Sequence, residues 1–197
     1  MSEPPFEIVR DGSGETRAEE LSTAGAFREA MANFPAAVAV VTTGREGARR
    51  GFTATSVFSV SMAPPLIGVC INKSVEAHAS ILGNKAFCVN ILARDQEAIA
   101  NRFAARDGSK GAIRFEHEVW CTLDSGSPVL QDSLTSVDCR LTAHLDVGTH
   151  TVLFGLVLAV DSNTGKFPLL YYDRRFIGVA GYQRQEVPIV SAPIDGW

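Results

Sequence analysis

The most informative stretch of this chain reads Thr53-Ala54-Thr55-Ser56-Val57-Phe58-Ser59-Val60-Ser61 and is followed by Pro64-Pro65-Leu66. Five of its nine residues carry hydroxyl groups, the others are small or apolar, and none is charged. A half-buried strand normally alternates apolar residues with charged or polar residues that meet water. An uncharged strand is typical either of a Ser/Thr-rich sandwich or of a strand that faces a flat, hydrogen-bonding ligand.

Length and composition indicate one globular domain. The 197 residues suffice for a substantial core, and 46% hydrophobic with 20% charged residues is usual for soluble proteins. A formal net charge of −4 gives no electrostatic reason to expect nucleic acid or an anionic membrane as a partner. No apolar run is long enough to span a bilayer, and the N-terminal residues lack the apolar run of a secretory signal. We therefore expect a cytoplasmic protein.

Neither a disulfide framework nor a metal site is predicted. The sequence has no CxxC pair, and no two histidines stand at the spacing of metal ligands. Cys70, Cys88 and Cys139 lie in apolar or alternating stretches, so we expect buried free thiols in a reducing compartment. The remaining cysteine is Cys121, and the histidines are His78, His117, His144 and His150.

The chain divides into a flexible lead-in over 1–22, one domain over 23–180 and a tail over 181–197. Helical spacing of apolar residues predicts a first helix over 24–33 that packs against the core. Its apolar face consists of Phe27, Ala30, Met31 and Phe34. Ser74 and Asp95 are expected to cap two further helices, which end near Gly83 and Ala105.

The other periodic segments predict strands joined by short turns. The clearest alternation extends from Val137 to Val147, with Asp138 among the outward residues. Residues 106–133 predict a long loop with a short strand near Trp120. The remaining strands are expected at 36–43, 53–61, 66–72, 86–92, 150–160, 169–172 and 175–179. Many strands with few peripheral helices indicate a closed or nearly closed antiparallel barrel.

Two local signals suggest a ligand site. Lys73 and Ser74 stand where a helix is expected to begin, and the free N–H groups of a helix start attract phosphate, although serine there is more often a plain cap. His150 directly follows a glycine turn at the start of a strand, where its ring can project into a cleft. The Gly12-Ser13-Gly14 stretch lacks the third glycine and the βαβ setting of a dinucleotide fingerprint.

Several blocks, taken in their order and spacing, resemble the short-chain flavin reductases, which are the reductase partners of two-component flavin monooxygenases. The resemblance covers roughly 26–178, nearly all of the predicted domain. The blocks are Phe34-Pro35-Ala36-Ala37-Val38, Gly51-Phe52 with the opening stretch, Pro64-Pro65-Leu66, Phe87-Cys88-Val89-Asn90-Ile91-Leu92, Gly148-Thr149-His150 and Pro168-Leu169-Leu170-Tyr171-Tyr172.

The resemblance implies a mainly β fold, a split antiparallel β-barrel, usually dimeric with flavin near the subunit interface. It also implies oxidation of NADH or NADPH and reduction of FMN or FAD, which often leaves to serve a partner monooxygenase. The ring would lie along 53–57, with ribityl and phosphate held by Ser61, 72–74 and 87–90. The implied cofactor-binding residues are Pro35, Ala36, Val38, Thr53, Ala54, Thr55, Ser56, Val57, Ser61, Asn72, Lys73, Ser74, Phe87, Val89 and Asn90, and the nicotinamide-binding residues are His150, Tyr172 and Arg174.

Two positions depart from the family pattern. The family commonly has Gly-Asp-His where this chain has Gly148-Thr149-His150, which affects how His150 is oriented. Glycine is also frequent in the family at the position of Ala37, where a methyl group can alter the approach of flavin to the backbone. Neither departure removes a group that the implied chemistry requires.

Hydride transfer to a flavin requires positioning of two rings rather than acid–base side chains, which agrees with a sequence that has no catalytic triad. Two alternatives stay open. One is a tightly bound flavin that passes electrons to another acceptor, such as a corrinoid, and the other is a non-catalytic flavin-binding protein. The choice between FMN and FAD also stays open. So does the choice between NADH and NADPH, because Arg174, Arg175 and the 45–50 loop are all candidates for contacting the 2′-phosphate of NADPH.

Overall fold

The computed structural model describes residues 17–163 and 165–179, with side chains from residue 23 onward. The expected tail and most of the expected lead-in lie outside these residues. The elements are α1 (Arg17–Ala32), β1 (Ala36–Ala37), β2 (Ala39–Thr43), β3 (Arg50–Ala54), β4 (Val57–Met62), β5 (Pro65–Asn72), α2 (Ala77–Asn84), β6 (Ala86–Ile91), α3 (Glu97–Phe103), a 3-10 helix (Gly111–Phe115), β7 (Trp120–Thr122), β8 (Pro128–Leu130), β9 (Thr135–Val147), β10 (His150–Ser162), β11 (Leu169–Tyr172) and β12 (Arg175–Gly178).

Seven antiparallel strands form the main sheet in the order β3-β2-β6-β9-β10-β5-β4. Strands β3 and β4 occupy its two edges, yet only Thr55 and Ser56 separate them in the chain. A link of that length spans about 11 Å at most, so the two edges must approach each other there. The sheet therefore curls into an antiparallel barrel split between β3 and β4, which confirms the predicted fold class.

The barrel has an apolar core on each side of its wall. Inside, Val41, Val69, Ile71, Phe87 and Leu153 are fully buried. A second cluster lies between the outer face and the elements that cover it, and it comprises Val38, Val40, Leu92, Ile99, Ala100, Phe103, Phe115, Leu130 and Leu169. Two smaller sheets, β1-β11-β12 and β7-β8, complete the fold.

Gly155 shows how tightly the interior is packed. A Cβ added at this position in β10 would lie 2.5 Å from Cζ of Phe87 and 2.9 Å from Cβ of Cys139. Such distances are far inside van der Waals contact, so the large ring of Phe87 occupies the space that a side chain would need. The glycine that interrupts this apolar strand is a packing requirement.

The first helix differs from the prediction in both extent and environment. Helix α1 begins at Arg17, within the expected lead-in, and its apolar stripe does not contact the core. Phe27 and Phe34 are 63% and 66% exposed, and Met31 is 47% exposed. Helical spacing identifies an apolar face but not the surface that covers it. The assignment of this face to the core was therefore wrong.

Both predicted helix caps were also wrong. Helix α2 begins at Ala77, because Asn72 accepts hydrogen bonds through Oδ1 from the amide and hydroxyl of Ser74, at 2.9 and 2.8 Å, in a turn before the helix. Helix α3 begins after Gln96 rather than Asp95, and no side chain caps it. Ser74 therefore belongs to the turn that ends β5 and does not start α2.

Strand β9 also departs from simple alternation. Asp138, expected to face water, is fully buried and accepts hydrogen bonds from the backbone N–H and hydroxyl of Ser125. Ser125 belongs to the 106–133 segment, which contains the 3-10 helix, β7 and β8 and covers this part of the sheet. A distant segment thus turns an outward position into a buried one.

Candidate functional site

A cleft of about 490 Å³ opens where the barrel is split. Its walls come from the end of α1, from β1, from the link between β3 and β4, and from the turn between β11 and β12. The lining residues are Arg28, Met31, Ala32, Phe34, Ala36, Thr55, Ser56, Val57, Phe58, Tyr171 and Arg174. The exposed apolar face of α1 therefore helps to form this cleft.

A tight turn brings Arg174 into the lining. Asp173 and Arg174 have φ angles of 48° and 59°, the left-handed pair expected of a two-residue hairpin turn between β11 and β12. The Asp173 N–H donates to the Ala32 carbonyl at 2.8 Å, which ties the turn to the end of α1. Glu29 forms a hydrogen-bonded ion pair with Arg174. The hydrogen bond between these two side chains is the main reason why the pKa of the Arg174 guanidinium is raised.

The link between β3 and β4 supplies the polar part of the cleft. The Ser56 carbonyl accepts from the Cys70 N–H at 3.1 Å, and the Ser56 hydroxyl donates to the Cys70 carbonyl at 3.1 Å. Thr55 is exposed, and among the described residues its hydroxyl has no hydrogen-bond partner. Thr55 can therefore donate to a ligand, whereas the proton of Ser56 is already engaged.

A second polar group adjoins the cleft at the end of β5. Cys70, which is bound to Ser56, stands two residues before Asn72, and Asn72 pairs with His150 across β5 and β10. The Lys73 N–H donates to the Thr149 carbonyl at 3.0 Å. The Thr149 hydroxyl lies 2.9 Å from Nδ1 of the exposed His150. A hydroxyl thus contacts the His150 ring at the position where the family that the sequence resembles commonly has a carboxylate.

The structure brings together nine of the predicted site residues. Those in the cleft are Ala36, Thr55, Ser56, Val57 and Arg174, and those beside it are Asn72, Lys73, Ser74 and His150. These two groups lie at one end of β5, so a ligand with a flat ring and a charged tail can contact both.

Five other predicted residues have side chains that the surrounding protein covers. Val38, Phe87, Val89 and Asn90 are fully buried, and Ala54 is 6% exposed. Their alternation places them on the two faces of the barrel wall, and the contacts of 87–90 with ribityl and phosphate stay a prediction.

The cleft lining does not include Thr53, Ser61 or Tyr172, and Pro35 lies next to it. The Thr53 hydroxyl is used to donate to the Ala100 carbonyl at 2.7 Å. Ser61 pairs with Leu66 near the start of β5, at the end remote from Asn72, and its hydroxyl accepts from the Ala63 N–H. Tyr171, rather than Tyr172, lines the cleft, because successive strand residues face opposite sides. Pro35 is exposed beside the lining residue Ala36.

Sequence reasoning missed six lining residues, namely Arg28, Met31, Ala32, Phe34, Phe58 and Tyr171. The apolar stripe of α1 is the available signal for two of them, but helical spacing alone assigns this stripe to the core. Phe58 shows a different signal. Its ring covers Gly68 across the strand pair, where an added Cβ would lie 2.3 Å from Cζ of Phe58. An aromatic residue opposite a glycine marks such a contact.

The cleft suits a flat aromatic ligand. Its volume falls within the range of about 300–1,000 Å³ usual for small-molecule sites. Met31, Phe34 and Tyr171 offer apolar surface, while Thr55 offers a free hydroxyl at one wall. A flavin has this combination of an apolar ring face and a hydrogen-bonding edge, so the residues present fit the implied cofactor.

The split barrel and the cleft at its split define a flavin-binding β-barrel. The chain belongs to the flavin reductase family, since residues 31–180 match the model described as flavin reductase like domain. The family predicted from the sequence is therefore confirmed.

Curated and solved relatives agree with this assignment. The chain is 42% identical over 152 residues to FMN reductase (NADH) RutF 2 of Rhizobium rhizogenes strain K84, which covers 76% of this chain and 86% of the relative. It is similar to BorF, the flavin reductase component of a bacterial two-component tryptophan halogenase, with a TM-score of 0.73 and 30% identity. The match covers 79% of this chain and 98% of BorF. The chain also resembles Streptomyces globisporus NADH:FAD oxidoreductase SgcE6 in complex with NAD and FAD fragments, with TM-score 0.73, 27% identity and coverage of 85% and 98%.

Three remaining expectations concern cysteines, metals and membranes. All four cysteines are free, as predicted, with Cys88 and Cys139 buried, Cys70 half-buried and Cys121 exposed. Burial raises the pKa of the Cys139 thiol to about 12. Within 17–163 and 165–179, no group of three His, Cys, Asp or Glu residues could hold a metal ion. No helix in the described part of the chain is long and apolar enough to cross a membrane.

Proposed function

We propose that this protein is an NAD(P)H:flavin oxidoreductase that transfers hydride from a nicotinamide to FMN or FAD. The observation that carries the proposal is the cleft at the barrel split, which places the free Thr55 hydroxyl beside apolar walls and adjoins Lys73 and His150. The family assignment and the names of the relatives support the same activity.

In this proposal the residues of the chain bind the flavin and the nicotinamide and orient them. A bound flavin supplies the redox chemistry, because its ring accepts hydride from a nicotinamide. Thr55 donates a hydrogen bond to the ring edge, and Met31, Phe34 and Tyr171 exclude water from its faces. Asn72 and Lys73 donate to the phosphate, and Ser74 holds the Asn72 side chain beside it. His150, held through Nδ1 by Thr149, positions the nicotinamide.

FMN and NADH are the preferred pair in this proposal. The curated relative is named an FMN reductase that uses NADH. Arg174 and Arg175 are already paired with Glu29 and Asp173, so neither is a free cation for the 2′-phosphate of NADPH. The 45–50 loop lies at the end of β2 and β3 remote from the cleft, because Thr43 pairs with Arg50 and Ala39 with Ala54.

A second copy of the chain is the proposed partner at the exposed apolar surface near the cleft. Phe58, Val60 and Met62 alternate along β4 and are 44%, 42% and 68% exposed, and Phe27 adds to them from α1. Clustered apolar side chains of this kind mark interaction surfaces. Sedimentation velocity at micromolar concentration should give a homodimer, and a monomer would contradict the assignment.

The proposed setting is the cytoplasm, where reduced flavin would pass to a flavin-dependent monooxygenase. Four free thiols agree with a reducing compartment. The structural relative BorF is the reductase component of a two-component system. Coupled turnover with a candidate oxygenase, compared with the same oxygenase supplied with chemically reduced flavin, tests this role.

The direct test of the activity is NADH oxidation by the purified protein with FMN, FAD or no added flavin. We expect oxidation that depends on added flavin and is faster with NADH than with NADPH. Gel filtration before the assay shows whether flavin stays bound, which would favour the electron-carrier alternative. If NADH is not consumed with either flavin, the protein is not a flavin reductase.

His150→Ala is expected to raise the KM for NADH about tenfold while the Kd for FMN stays within twofold, since the ring meets the nicotinamide rather than the flavin. Steady-state kinetics and flavin fluorescence titration measure the two constants. His144→Ala is the matched control, because His144 is another exposed histidine of the same hairpin. An unchanged KM for NADH would remove His150 from the site.

A further inference from the structure

Behind Lys73 stands a continuous chain of side-chain contacts that the proposed reaction does not use. Nε2 of His78, on α2, lies 2.8 Å from the Thr151 hydroxyl. That hydroxyl donates to Oδ1 of Asp146 at 2.6 Å, and Oδ2 of Asp146 lies 3.3 Å from Nζ of Lys73. The chain connects a helix, two strands and the end of β5.

The available protons give a direction to this series of contacts from His78 through Thr151 and Asp146 to Lys73, which we call the relay. A threonine hydroxyl has one proton, and an ionised carboxylate only accepts, so the Thr151 proton goes to Asp146. His78 must then donate its Nε2 proton to the Thr151 oxygen. The Thr151 hydrogen bond, followed by Lys73, lowers the pKa of Asp146, so the carboxylate is charged at neutral pH. Every polar contact in the relay is thus satisfied in one direction.

A buried anchor separates this arrangement from an ordinary surface ion pair, although the Asp146 side chain itself is 60% exposed. Exposed lysine–carboxylate pairs are worth little, because both side chains move freely. Here Thr151 is fully buried and His78 is half-buried, so one oxygen of Asp146 is anchored to the interior. The Lys73 side chain is 38% exposed, and two of its three ammonium protons are left for a ligand.

We propose that Asp146, anchored by Thr151 and His78, is a positioning residue that holds Lys73 for the phosphate of the flavin and makes the protein select FMN over riboflavin. This inference rests on the part of the proposed function that places the flavin phosphate at Asn72, Lys73 and Ser74. The relay itself touches neither the ring nor the nicotinamide.

The sign of one substitution separates positioning from simple electrostatics. If Asp146 acted only as a negative charge beside the phosphate, Asp146→Asn would strengthen FMN binding. If Asp146 positions Lys73, the same change frees the ammonium and weakens FMN binding. We expect the ratio of the riboflavin Kd to the FMN Kd to fall about tenfold in Asp146→Asn, the equivalent of one charge-assisted hydrogen bond.

The experiment titrates the full chain with FMN and, separately, with riboflavin in the absence of NADH. Flavin fluorescence measures the Kd of each. Lys73→Ala should lower the ratio at least as far as Asp146→Asn. Thr151→Val, which keeps the shape but removes the hydroxyl, should lower it, and Thr151→Ser should retain it. His78→Gln, which offers an N–H at the place of Nε2, should retain more of the ratio than His78→Leu.

Asp132→Asn is the matched control. Asp132 pairs with Lys166 at the surface, near the opposite end of the 13-residue strand β9, so its replacement removes an equal charge away from the relay. The ratio should stay at the wild-type value. Thermal melts accompany each variant, and Asp146→Asn, at an exposed position, remains informative if a Thr151 variant fails to fold.

The outcomes separate this inference from the proposed function. An unchanged or increased ratio in Asp146→Asn overturns the positioning role, as do equal ratios in Thr151→Val and Thr151→Ser. A wild-type protein that binds riboflavin and FMN equally also overturns it, even if NADH oxidation is normal. A protein that shows the expected ratios but oxidises no NADH leaves the relay in place and removes the reductase activity.

Discussion

Replacing Asn90 with alanine is expected to lower the free energy of unfolding by about 3–5 kcal/mol, because buried polar groups would lose their partners. The Asn90 side chain donates to the Val40 carbonyl at 3.0 Å and the Thr42 hydroxyl at 3.2 Å. Its Oδ1 accepts from the Leu130 N–H and the Ser136 hydroxyl, each at 2.8 Å. Asn90 in β6 thus connects this strand to β2, β8 and β9 through buried hydrogen bonds.

Urea denaturation measures this change, and Asn84→Ala is its matched control. Asn84 is exposed and donates one hydrogen bond, to Thr43 at 3.1 Å, so its loss should change stability by less than about 1 kcal/mol. The resemblance had implied a cofactor contact for Asn90. A variant with normal stability and a raised flavin Kd would restore that role and contradict the structural one.

Thr55→Val is expected to lower kcat/KM for FMN about tenfold, the largest effect of a single cleft hydroxyl. Valine keeps the shape of threonine but removes the one hydroxyl of the β3–β4 link that has no partner in the described part of the chain. A hydrogen bond to a ligand contributes about 1–1.5 kcal/mol. NADH oxidation at varied FMN concentration measures the loss.

Ser56→Ala is the graded comparison for this prediction. Its hydroxyl already donates to the Cys70 carbonyl, so we expect a loss of about threefold or less. Thr122→Val, at an exposed position of β7, is the matched control and should behave as wild type. Equal activity of Thr55→Val and wild type would show that the hydroxyl does not contact the flavin.

Local patterns predicted most strands because alternation belongs to each segment itself. The 53–61 stretch was an exception, since its alternation conceals a break at Thr55 and Ser56. Those two residues lie outside any strand because the barrel edges meet there. An uninterrupted strand was therefore the wrong expectation, although Thr55 and Ser56 of the same stretch line the cleft.

The sequence by itself determined the antiparallel barrel, the free thiols and the family, because strand periodicity, cysteine spacing and block order are properties of the linear chain. Only the tertiary structure decided that Asn90 is buried, that Ser61 lies far from Asn72, and that the apolar face of α1 borders the cleft. It alone brought Asp146 and Lys73 together. Such relations depend on strand register and on which distant segment covers a face, and neither is encoded in local spacing.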